Sequence, residues 1–208
     1  MRATLTKFLL PVVLTLSGIS AAQAVPISYV FDSTSALTAS NQKTVNGVTV
    51  TVSSGGHNNA DIVQNSAGLG VSGAGGNQLS SNPSQQEFIL FSFSQLLTLD
   101  SIIFNSADAN DAFVLTWGTG ATQTGSITQN PVAYTGSNPL TFIPASLVSG
   151  DWFQITTLGT STDLYVNALN VNGAIAAPNA SAVPEPATLA LAGMGLFALS
   201  LSRRRRAK

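Results

Sequence analysis

The 208-residue chain has no cysteine, one histidine, 44% hydrophobic residues and only 8% charged ones, against about a quarter charged in an ordinary globular protein. The missing cysteines exclude a disulfide framework, thiolate zinc sites and a cysteine nucleophile, and a lone histidine leaves little for a metal cluster or a Ser-His-Asp triad. Lys43 is the only cation between Lys7 and Arg203 and faces eight acids (Asp32, Asp61, Glu87, Asp100, Asp108, Asp111, Asp151 and Asp163), a body charge of −7 that excludes a row of phosphates, and so nucleic acid, as a partner.

Arg2 and Lys7 begin the chain with positive charge, Phe8 to Ile19 is mostly apolar, and Ala22-Gln23-Ala24 is a small-x-small cleavage site. Charge, apolar run and cleavage site in that order predict a secretory signal helix over residues 1–24, cut after Ala24. The body is therefore expected outside the cytoplasm.

From Val25 to Ala176 short β-branched and aromatic runs alternate with turn residues. Asn46-Gly47 is a hairpin turn signal, and Val48, Val50 and Val52 after it share one face of a strand. Ser53 to Asn59, including Gly55, Gly56 and His57, and Ser72 to Asn77 read as Gly/Ser/Asn-rich loops, with a short strand at Leu69-Gly70-Val71 between them. Further strands are predicted at Glu87 to Phe93, Ser101 to Phe104, Ala112 to Trp117, Gln123 to Thr128, Leu140 to Ile143, Trp152 to Thr157 and Leu164 to Val171. No body segment has helical spacing over a useful length. Eight or more short strands predict an all-β domain over residues 25–176: a two-sheet sandwich of jelly-roll or galactose-binding-like type.

Chemistry-bearing residues are sparse. Asp108, Asn110 and Asp111 are oxygen ligands at close spacing, a candidate calcium site; the simpler reading, which the sequence favours, is an Asx-rich turn. No other cofactor is indicated. His57, in a glycine-rich loop, is expected to be exposed, as are the scattered acids Asp32, Asp61 and Asp151. Two opposed carboxylates could serve a glycosidase, but no pair sits in a motif, and the chain is read as not an enzyme. Trp117, Trp152, Tyr29, Tyr134 and Tyr165 could stack on sugar rings; core packing is the stronger expectation, and Trp117 shares a strand face with Phe113 and Leu115.

Residues 177–183 are a small, polar linker with Pro178. Val183-Pro184-Glu185-Pro186 then leads into an uncharged, all-round apolar run from Ala187 to Ser202, followed by Arg203, Arg204, Arg205 and Arg206. As a helix the run spans about 24 Å, short of the roughly 30 Å hydrocarbon core, and four arginines hold their end in the cytoplasm. The two prolines keep Glu185 extended and accessible at the mouth of this transmembrane helix.

This arrangement over residues 184–208 resembles the PEP-CTERM sorting signal, in which a Pro-Glu-Pro motif, a short transmembrane helix and a terminal arginine cluster occur in that order. The resemblance implies processing by an exosortase, a membrane cysteine transpeptidase of Gram-negative bacteria. It implies a precursor delivered by the secretion machinery and tethered in the inner membrane, then passed to the cell surface or extracellular matrix. Members are associated with exopolysaccharide and biofilm. The body's order of elements, Gly68-Leu69-Gly70-Val71, Asn77, Glu87 before Phe91-Ser92-Phe93, and Asp111-Ala112-Phe113, loosely resembles the β-sandwich bodies of such proteins. Three functions follow as expectations. The first is a non-enzymatic surface or matrix protein; the second a carbohydrate-binding module holding extracellular polysaccharide, with structural calcium; the third a secreted hydrolase.

Overall fold

Side chains in a strand alternate between faces, and in this chain that alternation decides what is buried. The computed structural model describes residues 24–33, 37, 40–58, 60–73, 76–82, 85–129 and 138–174. Their strands in chain order are β1 (Ala24–Val30), β2 (Gln42–Val45), β3 (Val48–Gly55), β4 (Ile62–Asn65), β5 (Gly68–Val71), β6 (Leu79–Asn82), β7 (Gln85–Gln86), β8 (Phe88–Asn105), β9 (Ala112–Thr119), β10 (Thr122–Gln129), β11 (Leu140–Phe142), β12 (Val148–Leu158) and β13 (Asp163–Ala174). Every pairing among them is antiparallel. The predicted signal helix, Ala22, the linker, the sorting motif, the transmembrane run and the arginine cluster lie outside the described residues.

The expected all-β class holds. The Asn46-Gly47 turn joins β2 to β3, with Val45 opposite Val48 and both turn residues at positive φ (51° and 79°), the backbone of a two-residue hairpin loop. Val48, Val50 and Val52 are all buried. The predicted loop from Ser53 is shorter than expected, since β3 continues to Gly55 in register with β8.

The largest departure is β8. The two strands expected at 87–93 and 101–104 are one strand of 18 residues. It pairs with β3 and β12 through its first half and with β13, β11 and the start of β12 through its second. A register shift against β12 leaves residues 93–96 opposite Asp151 alone, and a second against β13 skips Asp100. Such bulges bend a strand and reset which face its side chains take. Here they turn Phe91, Leu97, Leu99, Ile102 and Phe104 all into the core although their spacing is not uniformly even.

The bent β8 lets one hydrogen-bonded sheet fold into two layers. One layer runs β2-β3-β8-β12-β9-β10; the other runs β11-β8-β13, with β1 beside one half of β13 and β5-β4 beside the other. Aromatic rings close the space between them: Tyr29 on Phe93 and Phe31 on Phe91 at 5.6 Å, Phe104 on Phe113 at 4.9 Å, and Phe113 on Phe142 at 5.1 Å. The Tyr29 hydroxyl donates to the Val48 carbonyl across the layers at 2.9 Å. Pro26, which lacks an N–H, sits in β1, a strand that among the described residues pairs with β13 alone.

Candidate functional site

A buried polar cluster surrounds Glu87, between β7 and β8. Its side chain is 3% exposed. One carboxylate oxygen accepts the Ser80 N–H at 2.7 Å, and the other lies 3.0 Å from His57 Nε2. Thr157 anchors the same spot: its hydroxyl donates to the Ser80 and Glu87 carbonyls at 2.9 and 3.1 Å, and its N–H to the Glu87 carbonyl at 3.0 Å. Burial pushes the Glu87 carboxyl above the usual carboxylate range, opposed by the Ser80 N–H and by His57.

His57 departs from expectation. It is not an exposed loop histidine: its side chain is 7% exposed and packed beneath Gly73, where an added Cβ would collide with the imidazole. Nδ1 lies 2.8 Å from the Asn58 carbonyl oxygen. Nε2 is within ion-pair distance of Glu87 but not in line for a directed hydrogen bond, and the buried Ser80 hydroxyl also has no hydrogen-bond partner. Thus the two glycine-rich segments that sequence reads as separate loops close over one carboxylate. The signal in the sequence was the lone acid at the head of the most hydrophobic strand; its partner, 30 positions away, had none.

The Asp108–Asp111 segment also differs from a ligand loop. Asp108 Oδ1 accepts the Asn110 N–H at 2.6 Å, an Asx turn. Asp111 is 1% exposed; its two oxygens accept the N–H groups of Asp108 at 2.6 Å and Asp163 at 2.9 Å. Burial raises the Asp111 carboxyl, against those two N–H groups, while the Asp108 and Asp163 charges raise it further. Asp111 turns inward and uses both oxygens on backbone N–H groups, so of the three residues only Asp108 and Asn110 face outward, too few oxygens for calcium, which takes six to eight. The three residues do not fit that ion. Among the described residues no group of three or more His, Asp or Glu side chains is placed to hold a metal.

Of the aromatic residues, Tyr29 is fully buried and Trp117 packs against the core, as expected. Trp152 lies on the outer face and is half-buried, and Tyr134 is outside the described residues. Asp61 is exposed as expected, while Asp151 receives the Gly120 N–H on both oxygens at 3.0 Å.

The two ends of the domain meet. β1 and β13 pair Ala24 with Ala174 and Val25 with Gly173, so the first and last of the described residues lie side by side. Ala24, expected to end the signal peptide, is the first residue of β1.

These features define an antiparallel all-β sandwich domain whose first and last described residues are paired. The model of the PEP-CTERM protein-sorting motif matches residues 182–206, so the chain carries that sorting signal at its C-terminus. The motif marks an exported protein with a membrane-anchored precursor and an exosortase as processing partner. No curated protein and no solved structure matches the chain.

Proposed function

We propose that the chain is a non-enzymatic protein of the cell surface or extracellular matrix, released from its membrane tether by an exosortase and associated with exopolysaccharide. The sorting motif at residues 182–206 carries this reading. In it, residues 1–24 are a signal peptide, 25–176 the exported sandwich, of jelly-roll or galactose-binding-like type, 177–183 a linker and 184–208 the sorting signal. Adjacent ends, with Val25 opposite Gly173, suit a sandwich tethered to the membrane on both sides in its precursor.

Intact-mass analysis of the surface protein tests this. The mature form is expected to begin at Val25 and to lack Leu189 to Lys208. Glu185→Ala is expected to leave the arginine cluster attached. A wild-type surface form that keeps Arg203 to Arg206 rejects exosortase processing and leaves a plain anchor.

A further inference from the structure

The outer face of the β8–β12–β9 layer carries an aromatic residue that the core does not use. Near the start of β12 its register with β8 shifts, with Asp151 alone facing residues 93–96 of β8, and beyond it Trp152 turns outward with Gln154 and Thr156 while Phe153 and Ile155 turn in. Trp152 is then held by backbone. Its ring lies on Gly118, the residue opposite it on β9, where any Cβ would strike the ring. The indole N–H donates to the Gly120 carbonyl at 2.9 Å, and the Gly120 N–H is bound by both oxygens of Asp151. Gly120 itself takes a positive φ of 57° at the β9–β10 turn, a conformation that favours glycine. One face of the indole is thus seated on the sheet and its orientation fixed.

The ring borders an open concavity of about 290 Å³ lined by Leu90, Ser92, Gly120, Ala121, Trp152 and Gln154. Pairing extends this floor with hydroxyls: Thr51 lies opposite Ser92, Ser53 opposite Leu90, and Thr116 opposite Gln154. Its lining contains an amide, a hydroxyl, an apolar side chain and an aromatic ring, with no cation, and the nearby Asp151 carboxylate is engaged by Gly120. Uncharged donors and acceptors around a fixed aromatic plate match a neutral sugar: its C–H face would lie on the indole, and its hydroxyls would meet Ser92 and the carbonyl oxygen of Gln154, whose amide nitrogen donates to the Thr156 hydroxyl at 3.0 Å. An anionic polymer would find no counter-charge there. The volume is at the small end of ligand clefts, roughly 300–1,000 Å³, which suits one sugar ring of a chain that runs on across the flat sheet.

We propose that this concavity is a binding site for a neutral polysaccharide, with Trp152 as the stacking platform and Gln154 and Ser92 as hydrogen-bonding groups. The proposal names the ligand class for the surface-protein reading above and rests on it for the source of the glycan.

Affinity electrophoresis of the mature protein in gels containing hydroxyethyl-cellulose, galactomannan, dextran or alginate tests it. Tryptophan-fluorescence titration with the polymers that retard the protein gives the affinities. At least one neutral polymer is expected to retard it. Trp152→Ala should lower that affinity about tenfold or more, the scale of losing one aromatic contact. Gln154→Ala should lower it severalfold, while Trp152→Phe keeps part of it. Circular dichroism establishes that each variant is folded, and Gln154→Ala, on the sheet surface, serves if Trp152→Ala does not fold. Retardation by alginate alone, by no polymer, or undiminished in folded Trp152→Ala and Gln154→Ala overturns the site, as does self-association of the wild type that Gln154→Ala abolishes. Processing of the same variants, read by intact mass, is expected to be normal; a processing failure in wild type with glycan retardation intact would refute the sorting reading alone.

Discussion

Replacing Glu87 by alanine and by glutamine separates what this buried carboxylate does from the space it fills. In Glu87→Ala the Ser80 N–H, bound at 2.7 Å, is left buried without its side-chain acceptor, and His57 loses its neighbour at 3.0 Å. A stranded buried donor costs about 1–3 kcal/mol. At about 2–4 °C per kcal/mol for a domain of this size, the melting temperature should fall by about 2–12 °C. Glu87→Gln offers an amide oxygen to the same N–H and should lose about 1 kcal/mol or less. The two variants should also differ from wild type in their dependence on pH. Burial raises the Glu87 carboxyl above its unfolded value, so the folded state holds that proton more tightly. The resulting stabilisation is complete below about pH 4, the ordinary carboxyl range, and is lost as pH rises through the raised folded value. Thermal melts of the mature protein from acid upward should therefore show a decline that Glu87→Gln makes shallower. Equal melting temperatures for the alanine and glutamine variants would refute the role assigned to the carboxylate, and an unchanged pH slope would refute the direction of its shift.

Other substitutions probe the remaining supports. Tyr29→Phe removes the donor to the Val48 carbonyl and should cost about 0.5–1.5 kcal/mol in urea denaturation; burial also pushes the Tyr29 hydroxyl up to about 12, so wild-type tyrosine absorbance should show one phenol that ionises late. Phe113→Ala empties a position between Phe104 and Phe142 and should cost about 3–5 kcal/mol, read in the same titration. Gly73→Ala drives a methyl into the His57 imidazole; it should destabilise by about 1–3 kcal/mol and shift the histidine proton resonances, which a harmless substitution would leave in place.

Period-two alternation was sufficient to read β9 and the Trp152–Thr157 part of β12 from the chain, because each has an apolar face, whereas Val148 to Asp151, which extend β12 past the register shift, were not expected. The Asn46-Gly47 turn was equally legible, since few residues adopt its backbone. β2, β4 and β7 were not: their residues, such as Gln42-Lys43-Thr44-Val45, have weak preference and become strands through pairing with neighbours distant in space. The merging of two expected strands into β8 had the same origin. Ser94 to Leu96 and Asp100 look like a break, yet hydrogen bonds to β12 and β13 carry the strand through them as bulges.

The sequence by itself determined the protein's export and sorting signal, because a membrane segment, a proline-flanked acid and an arginine cluster act through composition and order along the chain. It also determined the all-β class, because burial of one strand face needs only a local pattern. Tertiary structure alone decided which polar groups are occupied. His57 meets Glu87, Asp111 turns inward onto two backbone N–H groups, and Trp152 turns outward onto Gly118. Each outcome depends on residues far apart in sequence or on a register shift between paired strands, and neither long-range proximity nor a register slip is written in a local pattern.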